Sequence, residues 1–118
     1  MENIDWQDLL FKFSGRINRA KFWIGLGVTW AIMVLAMMIA GALGNAIGWI
    51  LLLIAYVAVV WIGIAVSIKR WHDRGKPGWW IFIGLIPLVG PIWALVETGF
   101  LEGTKGDNEY GPDPLAGA

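Results

Sequence analysis

The chain has 118 residues, 58% of them hydrophobic, with nine Lys and Arg balanced by nine Asp and Glu, nine Trp and no Cys. The missing Cys exclude disulfides, thiol catalysis and Cys-ligated metals. The lack of a broad basic face excludes nucleic acid as a partner.

Residues 3–17 open the chain. Trp6, Leu9, Leu10, Phe13 and Ile17 repeat at helical spacing, with Asp5, Asp8, Lys12 and Arg16 off that stripe. The pattern predicts an amphipathic N-terminal helix capped by Asn3, with Asp5 in its first turn. It lies on the membrane surface, packs on other helices of the same protein, or does both. Ser14-Gly15 then lets the chain turn. The early carboxylates and the long apolar stretch argue for a retained anchor rather than a cleaved signal.

From Phe22 to Ile68 no side chain carries a charge. About 20 apolar residues cross a bilayer, so this run predicts two transmembrane helices, 22–43 and 47–68. The tight turn Gly44-Asn45-Ala46 makes them an antiparallel hairpin. Ala36, Ala40, Gly44 and Gly48 form a ridge of small residues that allows close helix approach, with the second span of the same chain as partner.

A second charge-free run, Pro77–Val96, predicts a third transmembrane helix over 79–100. Pro87 and Pro91 interrupt it, with Gly84 and Gly90 beside them. A kinked full span, a broken span facing a cavity and a re-entrant segment all fit this pattern, and the kinked span is the expectation. Residues 101–118 are turn chemistry and form a polar tail. The whole, 1–118, reads as one all-α integral membrane domain.

Eight of the nine basic residues cluster in Lys12–Lys21 and Lys69–Lys76, on one side of the predicted hairpin. The positive-inside rule puts that side, and the N-terminus, in the cytoplasm. A full third span would put the tail outside. Trp23, Trp71, Trp79 and Trp80 beside the basic clusters, and Trp49 opposite, fit an aromatic belt.

Arg16, Arg19, Lys69, Arg70, His72, Asp73 and Arg74 form the candidate binding surface, for anionic lipid headgroups or a protein partner. Asp73, the one carboxylate there, is expected to pair with Arg16 or Arg19, or locally with Arg70. His72 and Asp73 are helical neighbours that point apart, so no catalytic dyad is expected. A lone His predicts no metal, and no cofactor is indicated. Pro87, Pro91 and Glu97 are candidates for a hinge or pathway.

Three segments carry a family resemblance: Phe13-Ser14-Gly15-Arg16-Ile17-Asn18-Arg19-Ala20-Lys21-Phe22-Trp23, Lys69 through Trp80, and Gly103-Thr104 through Pro114. Together they resemble the bacterial inner-membrane family filed as domain of unknown function 805. Its pattern matches Gly15, Arg16, Arg19, His72, Asp73, Gly103, Gly106, Tyr110, Gly111, Asp113 and Pro114. Glu109 departs from it, since an Asn or a basic residue usually precedes the Tyr. That weakens an anion-binding role for the tail. The resemblance implies a small inner-membrane protein and transfers no catalytic role. The expected function is a membrane-embedded binding or scaffold module, not an enzyme, with membrane lipids, copies of itself or a larger membrane protein as partners. The alternative is a subunit of an oligomeric transporter or channel, since three helices are too few to enclose a path alone.

Overall fold

The structure is a computed structural model that describes residues 5–115. Its helices are α1 (Trp6–Phe11), α2 (Arg19–Leu43), α3 (Ala46–Asp73) and α4 (Val89–Leu95). A 3₁₀ helix, Gly78–Leu85, precedes α4, and a π-helical turn, Val96–Phe100, follows it. No strand occurs among the described residues.

α1 is shorter than the periodicity predicts. Asp5 caps it by accepting the Asp8 N–H at 3.1 Å, and Asn3 lies outside the described residues. The helix ends at Phe11, and Lys12 is extended. Phe13 and Ile17 therefore do not continue the stripe on one helix. Leu9 and Ile17 are instead buried against the hairpin with Phe22, Ile62 and Val66. The inner face of this segment packs on the protein itself, while Trp6 and Phe11 stay half exposed.

The hairpin forms where local chemistry allows a reversal. Gly44 ends α2 at φ 63°, a left-handed position that suits glycine. Asn45 then caps α3, its side-chain oxygen accepting the Ile47 and Gly48 amides at 3.1 and 3.3 Å. Small residues hold the helices together at both ends. A Cβ on Gly48 would lie 2.8 Å from the Ala40 carbonyl, and one on Gly25 would lie 2.6 Å from a Val66 methyl. Ala36, Ala40 and Gly48 are buried, so most of the small-residue ridge faces the same chain. The outward faces are apolar and open. Only 6% and 22% of the residues in the most apolar stretches of α2 and α3 are buried. Water would penalise that much exposed apolar surface, and lipid would not.

The third segment is not the kinked full span expected at 79–100. Pro87 sits in a turn at the tip, where the Gly90 amide reaches the Ile86 carbonyl at 2.9 Å. Pro91 falls in the first turn of α4, where a missing N–H breaks no helical bond. The prolines thus reverse the chain and start a helix rather than kink one. Both ends of the segment lie together. The Lys76 ammonium meets the Glu97 carboxylate at 2.6 Å, and the Trp23 indole N–H donates to the Gly99 carbonyl at 2.8 Å. Residues 78–100 form a hairpin, and the tail emerges at the end of the α2–α3 hairpin that carries the basic clusters. Lys76 and Arg74 hold Glu97 beside the segment's own start.

Candidate functional site: a buried charge clasp at the basic joint

The last turn of α3 projects Lys69, Arg70 and Asp73 into the joint, where all three are buried. Asp73 is bound from two sides. One oxygen accepts from Arg16 Nε at 3.0 Å, and the other accepts from Arg70 Nη1 at 2.5 Å. Of the pairings expected from sequence, Arg16 and Arg70 are the ones formed. Arg19 instead donates to the Phe100 carbonyl at 2.8 Å.

Both arginines spend their remaining donors on backbone. Arg16 reaches the carbonyls of Thr104 at 2.6 Å, Gly106 at 2.8 Å and Gly111 at 3.1 Å. Arg70 reaches Thr98 at 2.6 Å and also the Leu101 carbonyl. A guanidinium suits this role because its five N–H groups point in fixed directions from one planar group. Two positive groups and one negative group are buried together, and carbonyl oxygens carry the excess positive charge. Among the described residues no buried side-chain N or O lacks a partner.

The tail is shaped to this clasp. The Thr104 amide donates to the Asp73 carbonyl at 2.6 Å. A Cβ on Gly103 would overlap the Asp73 carboxylate, so only glycine fits there. The His72 ring stacks flat on Tyr110 with centroids 4.1 Å apart. Its Nδ1 donates to the Gly15 carbonyl at 3.0 Å, since a carbonyl can only accept. Asn108 donates to the His72 carbonyl at 2.9 Å. Asp113 accepts the Gly106 and Leu115 amides, which hold its carboxyl below the usual range.

Lys69 has a separate task. Its ammonium donates to the carbonyls of Leu9, at 2.6 Å, and Asp8. These belong to α1, so a basic side chain from α3 satisfies carbonyls that a short helix leaves open.

The candidate surface residues therefore divide. Arg16, Lys69, Arg70 and Asp73 are enclosed and bind the chain's own groups. Arg19 is exposed, and the Arg74 and Lys76 side chains are 26% and 30% exposed. Arg74 and Lys76 meet Glu97, which also accepts the Trp93 indole N–H at 2.8 Å. Lys76 lies 4.5 Å from the Trp80 ring centroid. Pro87 and Pro91 lie at and just after the tip, and Glu97 is back at the joint, with an apolar groove along Leu88, Val89, Ile92, Trp93 and Val96 between them. No cluster of His, Asp and Glu suited to a metal occurs among the described residues. His72 and Asp73 are engaged by different partners, so their geometry offers no proton relay between them.

The sequence offered no direct sign of the Glu97 contacts or of the backbone carbonyls that the arginines use. One signal was present: the three segments carrying the family resemblance are the three that meet here.

Comparison with known proteins agrees. The chain is 32% identical to the uncharacterized protein YiiR of Escherichia coli (strain K12), over 91% of this chain and 88% of that protein. It is 30% identical to the inner membrane protein YhaH of the same organism, over 94% and 97%. It is 32% identical to the inner membrane protein YhaI, over 90% and 88%. No solved structure matches. The family described as "Protein of unknown function (DUF805)" matches residues 10–112, and the chain belongs to that family.

Proposed function

We propose that this chain is a small integral protein of the bacterial inner membrane that serves as a membrane-embedded binding or scaffold module. α2 and α3 cross the bilayer, residues 78–100 dip into it from one side, and the clasp holds a platform at the basic end. The observation that carries this reading is the contrast between the two ends. The helices turn open apolar faces outward, while the basic end is closed by a satisfied network of charges. Two relatives named inner membrane proteins support the location.

The exposed Arg19 and the partly exposed Arg74 and Lys76 of the platform are suited to anionic headgroups. Each cation near an anionic surface contributes about 1 kcal/mol. The positive-inside rule puts this face, with the tail, in the cytoplasm and the turn at Asn45 outside.

Two experiments test the reading. Single cysteines at Ala46 and Lys105, treated on intact cells with an impermeant thiol reagent, report topology. Labelling at 46 and not at 105 is expected, and labelling at 105 alone would sink the orientation. Native mass spectrometry of protein released from mixed phosphatidylcholine and phosphatidylglycerol nanodiscs reports the lipid retained and the number of subunits. Enrichment of the anionic lipid that falls in Arg19→Gln/Arg74→Gln is expected. Equal retention of both lipids would remove the headgroup role.

A further inference from the structure

The molecule fills the two halves of its own length unequally. It measures 51 × 37 × 19 Å along its principal axes. α2 and α3, with 25 and 28 residues, are the elements that run its length. At about 1.5 Å per residue they reach roughly 37 and 42 Å, enough for a hydrocarbon core of about 30 Å.

All the other described elements flank the basic half and stop near the middle. The 3₁₀ helix descends along one side of α3. Its last residue, Leu85, lines a shallow depression with Val60, Gly63 and Ile64. Eight residues of 3₁₀ helix rise only about 16 Å, so Leu85, where that helix ends, lies about halfway through such a core. On the other side, the Trp61 indole N–H donates to the Phe11 carbonyl at 3.0 Å, and the Phe13 and Trp61 rings lie 4.9 Å apart. Val60 and Trp61 are the middle of α3. The additions on both sides therefore end at one level.

Beyond that level α2 and α3 are alone. Met37, Met38, Trp49 and Leu53 are 60–75% exposed. The flanking pieces are themselves apolar where they face outward, as at Leu85, Leu88 and Ile92. They sit among acyl chains rather than in water.

We infer that the chain is a wedge that responds to membrane curvature, favouring bilayers whose basic-side leaflet is convex. The inference rests on α2 and α3 spanning the membrane and is independent of any headgroup preference. The flanking pieces take area from one leaflet only. On a flat bilayer that leaflet is crowded, and the lipids around the thin end must spread to cover it. Bending the basic side outward gives the crowded leaflet more area and relieves both, as the one-sided insertion of an interfacial helix does. The clasp keeps the thick end thick, because Arg70, Arg74 and Lys76 hold the re-entrant hairpin against α3.

The test uses the whole chain with a fluorophore on Lys105→Cys, an exposed position in a protein with no other Cys. It is reconstituted in giant vesicles of phosphatidylcholine alone, which removes headgroup attraction. An impermeant quencher outside separates molecules with the basic end out from those with it in. A thin tether is then pulled outward, which makes the outer leaflet convex. Molecules with the basic end out are expected to be enriched on the tether over the parent vesicle, by a factor that grows as the tether narrows. Molecules with the basic end in are expected to be depleted. Equal density in both orientations, or the opposite sign, overturns the inference. Either result leaves the phosphatidylglycerol retention of the proposed function to be judged separately.

Discussion

Arg16 and Asp73 stand 57 residues apart in the chain and meet at 3.0 Å, with both side chains almost fully enclosed. Arg16 lies in the link before α2, and Asp73 is the last residue of α3. Their contact closes the hairpin at the end opposite its turn. Arg16 also holds three carbonyls of the tail, so one side chain ties the start, middle and end of the protein together.

Asp73→Asn leaves Arg16 and Arg70 buried without their counter-charge. Breaking a buried pair from one side costs about 3–5 kcal/mol, and a loss of that size is expected in thermal unfolding in detergent. Arg16→Gln/Asp73→Asn should cost less than the two single changes added together, by a coupling of about 0.5–3 kcal/mol. Strict additivity would mean that the contact contributes nothing of its own.

Gly103→Ala puts a methyl group where the Asp73 carboxylate lies. The tail must move, at a cost of about 1–3 kcal/mol. Trypsin should then cut faster at Lys105, whose side chain is already 84% exposed. Gly63→Ala is the control. Nothing lies within 4 Å of its added Cβ, and alanine in a helix is favoured by about 0.5–1 kcal/mol.

Leu88 holds φ 65° and ψ −59° at the tip of the 78–100 hairpin, a strained γ-turn closed by the Val89 N–H on the Pro87 carbonyl at 2.7 Å, which disfavours a residue with a Cβ. Its side chain is 81% exposed and supports little else in the protein. Leu88→Gly should relieve about 1–3 kcal/mol of backbone strain and raise the melting temperature in detergent. A fall would show that burying this leucine in apolar surroundings outweighs the strain.

Asp113 has a lowered carboxyl pKa because the Leu115 and Gly106 amides hydrogen-bond its charged form. Its contribution is present above the pKa of a free carboxyl and is lost as the pH falls through the lowered value. Acid should therefore loosen the 106–113 turn only once the pH falls through that lowered value. Protection of the Gly106 amide from hydrogen exchange, relative to the free-chain rate at the same pH, should fall at low pH, and Asp113→Asn should flatten that dependence.

The sequence was most legible where structure is local. The charge-free stretch from Phe22 to Ile68 dictates two long apolar helices, because their length and the lack of charge act residue by residue. Gly44 and Asn45 dictate the reversal, since a left-handed glycine and an Asn cap need no distant partner. Asp73 was recognisable as the carboxylate of a cationic joint, although its partners remained open among Arg16, Arg19 and Arg70.

The rest depended on contacts between distant residues. A run such as Pro77–Val96 is long enough to cross a membrane or to enter and return. Its length alone does not separate these outcomes; the hairpin path comes from the contacts of Glu97 with Arg74 and Lys76. The stripe from Trp6 to Ile17 is helical in period, yet the helix stops at Phe11 because Leu9 and Ile17 bury against Phe22, Ile62 and Val66 from separate pieces of chain. The basic residues of the joint could be counted in advance, but which stay exposed could not. Charge is a property of a side chain, whereas burial depends on what folds over it. Here the tail folds over Arg16 and Arg70 and leaves Arg19, Arg74 and Lys76 partly open.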